Sequence, residues 1–185
     1  MILRFGLVLA AACGLLYAFQ TRATQRSFTD WRQFLGGSDS AQYSALKQID
    51  KTNVSQLQVV WSYPTGGMNQ YLFSPTVVDN VMYVQAKNNS LVALDAATGK
   101  ELWAHPFQGA VTTRGINYWQ SADGADRRLF TTNAGFLTAI NARTGETIQT
   151  FGDNGRTDLR SGMDDPTSVT ARLSRPTTPA AFSRT

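Results

Sequence analysis

Cysteine is almost missing from this 185-residue chain: there is one, Cys13, inside the first apolar stretch. Past it, no intramolecular disulfide, zinc–cysteine site or CxxCH haem attachment can be built. Histidine is as scarce. His105 stands alone, with no partner at metal-ligand spacing, and is expected at the surface or rim. Charged residues make up only 16%, the net charge is +4, and the one adjacent basic pair is Arg127-Arg128. No basic stripe exists for a phosphate backbone, so no nucleic-acid partner is expected. Helical periodicity is absent between Val59 and Phe151.

One apolar run stands out, Phe5 to Phe19 in "MILRFGLVLAAACGLLYAFQTRAT", with an early arginine before it and a polar exit after it. It is short for a bilayer span and reads as a secretory signal peptide, residues 1–23, with Thr21 and Ala23 placed for a cut after Ala23. Export to the periplasm follows, and a mature chain without cysteine suits an oxidising compartment. An uncleaved membrane anchor and lipidation at Cys13 are the alternatives. Residues 24–160 read as the folded part. Residues 161–185 are expected to be irregular or disordered, being Ser/Thr/Arg/Pro-rich from Ala171 onward.

What the chain does contain is short strands. "DWRQFLGG" reads as a short helix or edge segment, and "YSALKQIDKTNVSQL" as a loop with a brief helical turn. "LQVVWSY", Leu57 to Tyr63, is β-branched and aromatic and predicts a strand. Four more follow: Thr76–Val78, Val81–Gln85, Leu91–Leu94 and Glu101–Ala104, separated by Asp-Asn, Asn-Asn and Thr-Gly turns that favour antiparallel neighbours. Then the phrase repeats. "LVALDAATGKELW" returns as "LTAINARTGETIQ", offset by 46 residues from Leu91 to Leu137, and Trp61 precedes Trp103 by 42. A period in the forties with four strands per unit is the pattern of β-propeller blades. Asp95 or Asn141 can accept N–H groups within its own turn, and Gly99 or Gly145 can take the positive φ. Trp103 is expected to wedge between blades and to use its indole N–H; in the second copy Gln149 stands there. The expected class is all-β: about two propeller blades, which cannot close a ring that needs at least four.

These segments resemble the quinoprotein dehydrogenases, eight-bladed propellers that bind pyrroloquinoline quinone (PQQ). "YSALKQIDKTNVSQLQVVWSY" is similar to their N-terminal signature. "FSPTVVDNVMYV" is similar to their first full blade, and "TTRGINYWQSADGADRRLFTTNAGFLTAINARTGETIQTFGDNGRTDLR" to the second blade with its exit loop. The likeness covers Asp30 to Arg160 and lies nearest the branch of PQQ-dependent glucose or alcohol dehydrogenases. It implies a periplasmic enzyme that uses PQQ and calcium to oxidise an alcohol or sugar and passes electrons to a quinone or cytochrome c. It also implies that Arg114, in "RGINYW", contacts PQQ; a guanidinium fork suits a tricarboxylate, and Gly115 lets the backbone turn close to the ligand.

Three departures accompany the resemblance. Leu72 stands where relatives carry a polar or acidic residue near the cofactor. The adjacent cysteine pair of the alcohol branch is absent. The calcium ligands, the PQQ-stacking tryptophan and the catalytic aspartate belong to later blades, so no catalytic or metal-binding residue is assigned here. The chain is therefore expected to be an N-terminal fragment inactive alone, and a frameshift or premature stop near Thr170 would account for the tail. The competing readings are a non-catalytic propeller scaffold for protein contacts at the cell envelope, like the lipoprotein of the outer-membrane assembly machinery, and a truncated product that does not fold stably. Asp123, Asp126, Asp153, Asp158, Asp164 and Asp165 match no calcium-loop spacing and read as turn formers. Tyr118 and Trp119 read as aromatics packed between blades.

Overall fold

The computed structural model describes residues 28–65, 73–109, 111 and 115–161. The segment read as a signal peptide, Leu72, Arg114, Asp164, Asp165 and all of the tail after residue 161 lie outside them.

Two four-stranded antiparallel sheets hold the eight strands, each laid out in chain order. The first blade contains β1 (Thr76–Val78), β2 (Val81–Ala86), β3 (Ser90–Asp95) and β4 (Glu101–Pro106); the second contains β5 (Asn117–Gln120), β6 (Arg127–Asn133), β7 (Phe136–Asn141) and β8 (Arg156–Asp158). The hairpin turns follow from the residues in them. Asp79-Asn80, Asn88-Asn89 and Ala134-Gly135 all take positive φ, as two-residue turns between right-twisted strands require.

Each motif turn is closed by its own side chain. Asp95 accepts from the N–H groups of Ala97 and Thr98 at 3.1 and 2.8 Å and from the Thr98 hydroxyl at 2.8 Å. The Thr98 hydroxyl, then its N–H, hold the Asp95 carboxyl below the ordinary range. Asn141 accepts from the N–H groups of Arg143 and Thr144, and Gly99 and Gly145 stand at φ +72° and +76°.

The first blade buries both faces. One face carries Tyr83, Leu91 and Ala93, which pack with Ile116, Tyr118, Leu129 and Ile140 of the second blade in a single apolar seam. The other carries Val84, Val92 and Leu94 under Trp61, Tyr63 and Met82. Leu91, Leu94, Leu129 and Ile140 are fully buried, and each contributes about 1.5–3 kcal/mol. Trp103 is the expected wedge: its Nε1 donates to the Ala142 carbonyl across the seam at 3.2 Å.

Two expectations are corrected and two are sharpened. Leu57–Tyr63 forms no strand; a 3-10 turn at Val54–Gln56 leads into extended chain, because no strand among the described residues lies beside it to complete a ladder. Trp119 does not enter the seam. It alternates with Tyr118 along β5 and so faces the other way, where the Arg128 guanidinium sits 5.5 Å from its ring. His105 is half-buried and meets the next blade: its Nδ1 lies 2.7 Å from the Gly145 carbonyl and its ring 4.6 Å from Phe107. In the second copy the outer strand breaks. Thr147 bridges Ile140, Gln149 is exposed, Phe151 folds onto Phe130, and β8 forms from "RTD" inside the supposed exit loop.

"DWRQFLGG" takes the edge role. Trp31 and Val77 exchange two backbone bonds of 2.8 Å, and the Tyr118 N–H donates to the Arg32 carbonyl at 3.1 Å. Two consecutive residues thus tie together the first strands of both blades.

Candidate functional site

Residues 107–116 carry the chain from the first blade to the second, and the sequence places Arg114 in that crossing. Thr112, Thr113 and Arg114 lie outside the described residues, but both flanks are defined. On one side Val111, buried, bridges Asn133 at the end of β6. On the other side Gly115 takes φ +122°, and a β-carbon there would stand 2.9 Å from the Ser74 carbonyl oxygen. Only glycine satisfies both conditions, since L side chains avoid that φ and the obstacle is backbone. The next residue, Ile116, is fully buried and its carbonyl accepts from the Thr76 hydroxyl at 3.3 Å.

Register places further groups at the same end. Asn133 pairs with Phe136, and Phe136 with Asp158, so Val111, Asn133, Phe136 and Asp158 form one cross-strand row. On Phe136 sit the guanidiniums of Arg156 and Arg160, 4.4 and 5.1 Å from the ring centroid. Asp158 binds Arg160 through both carboxylate oxygens. That pairing, led by the side-chain bond from Arg160, pulls the Asp158 carboxyl down to about 2. Sequence reasoning missed this cluster, because a turn-rich polar stretch gives no sign of a strand whose residues face solvent.

Three other aspartates read as turn formers act locally. Asp123 accepts from the Ser121 hydroxyl and the Ala125 N–H, Asp126 pairs with Arg128, and Asp153 accepts from the Asn154 amide. Among the described residues no group of three His, Cys, Asp or Glu could hold a metal. No described helix is long and apolar enough to cross a membrane. What the described residues offer here is a backbone held at Gly115, which follows Arg114 in the sequence, and two guanidiniums stacked on Phe136, one of them paired with Asp158. That donor chemistry fits an anionic planar ligand bearing carboxylates.

Comparison with known proteins shows the family and the fold. Residues 31–185 match the family described as "PQQ: Glucose/ethanol/alcohol dehydrogenase, beta-propeller domain". The quinoprotein glucose dehydrogenase of Escherichia coli K12 is 32% identical over 162 residues, covering 74% of this chain and 20% of that protein. Methanol dehydrogenase [cytochrome c] subunit 1 of Methylobacterium organophilum is 37% identical over 123 residues, covering 60% and 20%. Among solved structures, the quinohemoprotein alcohol dehydrogenase of Comamonas testosteroni superposes with a TM-score of 0.61 at 26% identity, covering 78% of this chain and 22% of that one. The chain spans about a fifth of the length of the curated relatives it matches. The family match also runs through residues 161–185, a segment that the sequence alone had set apart from the family.

Proposed function

Because the chain belongs to the β-propeller family of PQQ-dependent glucose/ethanol/alcohol dehydrogenases, we propose that it is the N-terminal part of a periplasmic dehydrogenase oxidising alcohols or sugars. In this reading it contributes two blades and one cofactor ligand, Arg114. PQQ, when bound, accepts the hydride removed from the substrate. The role of this chain's own residues is to bind and orient. Arg114 pairs its guanidinium with cofactor oxygens, and Gly115 lets the backbone carrying it lie against Ser74. Calcium forms no part of what the described residues supply. Electrons leave to a quinone or a cytochrome c.

The single observation carrying the proposal is Gly115. Its left-handed φ and its contact with Ser74 occur one bond after the arginine that the family resemblance marks, inside the matched region.

The test has two arms. The 185-residue chain alone is expected to show no PQQ- and calcium-dependent dye reduction with alcohols or glucose. In a full-length polypeptide carrying it, R114A is expected to weaken PQQ binding, followed by absorbance titration, by at least tenfold. Turnover by the isolated chain, or unchanged PQQ affinity in R114A, overturns the proposal.

A further inference from the structure

We infer that the outer half of the second blade holds a binding site for a tetrahedral oxyanion such as phosphate, built from Arg156, Thr138 and Thr131. The strand register makes the three one row. Thr131 of β6 pairs with Thr138 of β7, and Thr138 pairs with Arg156 of β8, so their side chains share one face of the sheet. The row descends from solvent into the blade: Arg156 is exposed, Thr138 is half-buried and Thr131 is only 2% exposed. Arg156 stands three strands from β5, about 14 Å at sheet spacing, so the row is reached without Gly115.

Both ends of the row lack a partner among the described residues. Thr131 Oγ1 is buried and makes no hydrogen bond, a cost that a bound ion offsets. The Arg156 guanidinium lies 4.4 Å from the Phe136 centroid. Of the two cations on that ring, Arg160 takes both oxygens of Asp158, and Arg156 has no ion pair. Two guanidiniums and one carboxylate leave one positive charge unmatched beside the row. An aromatic ring under the guanidinium covers its face and leaves its N–H edge free to clamp two oxygens. The row also selects the ligand. A carboxylate has two oxygens, and the fork takes both. A phosphate has four, so two can bond Arg156 while the others accept from the threonine hydroxyls further in.

The experiment is calorimetric titration of inorganic phosphate into the 185-residue chain at fixed ionic strength, for wild type, R156Q, T131V and K47Q. Urea unfolding of each in phosphate-free buffer accompanies it. Wild type is expected to bind a single phosphate, and R156Q to weaken binding at least about tenfold, as loss of a charged hydrogen-bond donor does. T131V is expected to weaken binding about three- to tenfold while unfolding no earlier than wild type. That combination marks a hydroxyl kept for a ligand; a purely structural hydroxyl would lower stability on removal and leave phosphate affinity alone. K47Q removes a charge from an exposed loop and is expected to bind as wild type does. Sulfate is expected to compete with phosphate, and acetate is not. Absence of saturable binding, unchanged affinity in R156Q or T131V, an equal loss in K47Q, or equal competition by acetate overturns the inference. The result stands whether or not R114A alters PQQ affinity.

Discussion

The indole of Trp103 stands directly on Gly145: a β-carbon at position 145 would lie 2.6 Å from its Cε3. Trp61 repeats the relation one blade earlier. Its ring lies 2.6 Å from a β-carbon built on Gly99, and its Nε1 donates to the Ala96 carbonyl at 3.1 Å. The repeated phrase is thus two halves of one contact. Its closing tryptophan docks on the Thr-Gly turn of the next copy, and its own Thr-Gly turn receives the tryptophan before it. The glycine answers two demands, a positive φ for the turn and the absence of a β-carbon for the ring.

Separating those demands gives the first prediction. Gly124 has φ +68° and nothing within 4 Å of a built β-carbon, whereas Gly145 has φ +76° and the indole. G124A should lose only the left-handed backbone preference, about 1 kcal/mol. G145A should lose that and also displace Trp103, about 3 kcal/mol in all. Urea unfolding of the two variants measures the difference, and equal losses would show that the indole seat carries no weight.

A second prediction concerns a polar atom with no partner. The Thr131 hydroxyl is buried and makes no hydrogen bond among the described residues, on a strand residue that pairs with Thr138. Burying a hydroxyl without a partner costs about 1–3 kcal/mol. T131V keeps the shape and the β-branching, so it should raise stability by about 1 kcal/mol. A T131V variant less stable than wild type in urea would mean that the hydroxyl has a partner in solution.

Much of this fold was legible in the sequence, for a definite reason. Strands β1 to β4 begin or end within two residues of the boundaries read from Asp-Asn, Asn-Asn and Thr-Gly pairs, because those residues specify turn geometry locally. Leu57–Tyr63 misled, because valines and aromatics report what a segment would bury, not whether a ladder partner stands beside it. The contact of His105 with Gly145 and the place of Trp119 off the seam were not legible for a related reason: which face of a strand meets a neighbouring blade is decided by packing between sheets. At the candidate site, Arg114 was legible only through the family motif. The Thr76–Ile116 bond joins residues forty apart and leaves no local trace.

A third prediction follows from the tyrosines. Burial, then the 2.5 Å bond donated to Glu101 and the charge of that carboxylate, push the Tyr63 phenol up to about 12. Burial also raises Tyr83 and Tyr118. A phenol whose folded value lies above its unfolded value of about 10 favours the native state below pH 10 and loses that effect as pH rises through the folded value. Ultraviolet titration near 295 nm should therefore show a late phase that unfolding in urea abolishes. Y63F should remove part of it, and a late phase unaltered in Y63F would refute the assignment.

The last prediction returns to the segment that forms no strand. Val59 and Val60 are 87% and 86% exposed, although Trp61 beside them is anchored on the first blade. By the Trp61–Trp103 equivalence, Leu57–Tyr63 occupies the place of a closing strand like β4, with no ladder beside it among the described residues. Extended chain with open backbone groups and exposed β-branched side chains is a template for pairing with another molecule. Light scattering of the chain should thus show self-association that grows with concentration. V59K and V60K place charges on that edge and should reduce it severalfold, whereas K47Q, on an exposed loop without such an edge, should leave it unchanged. Equal association in all three variants and wild type would mean that the contact lies elsewhere on the two blades.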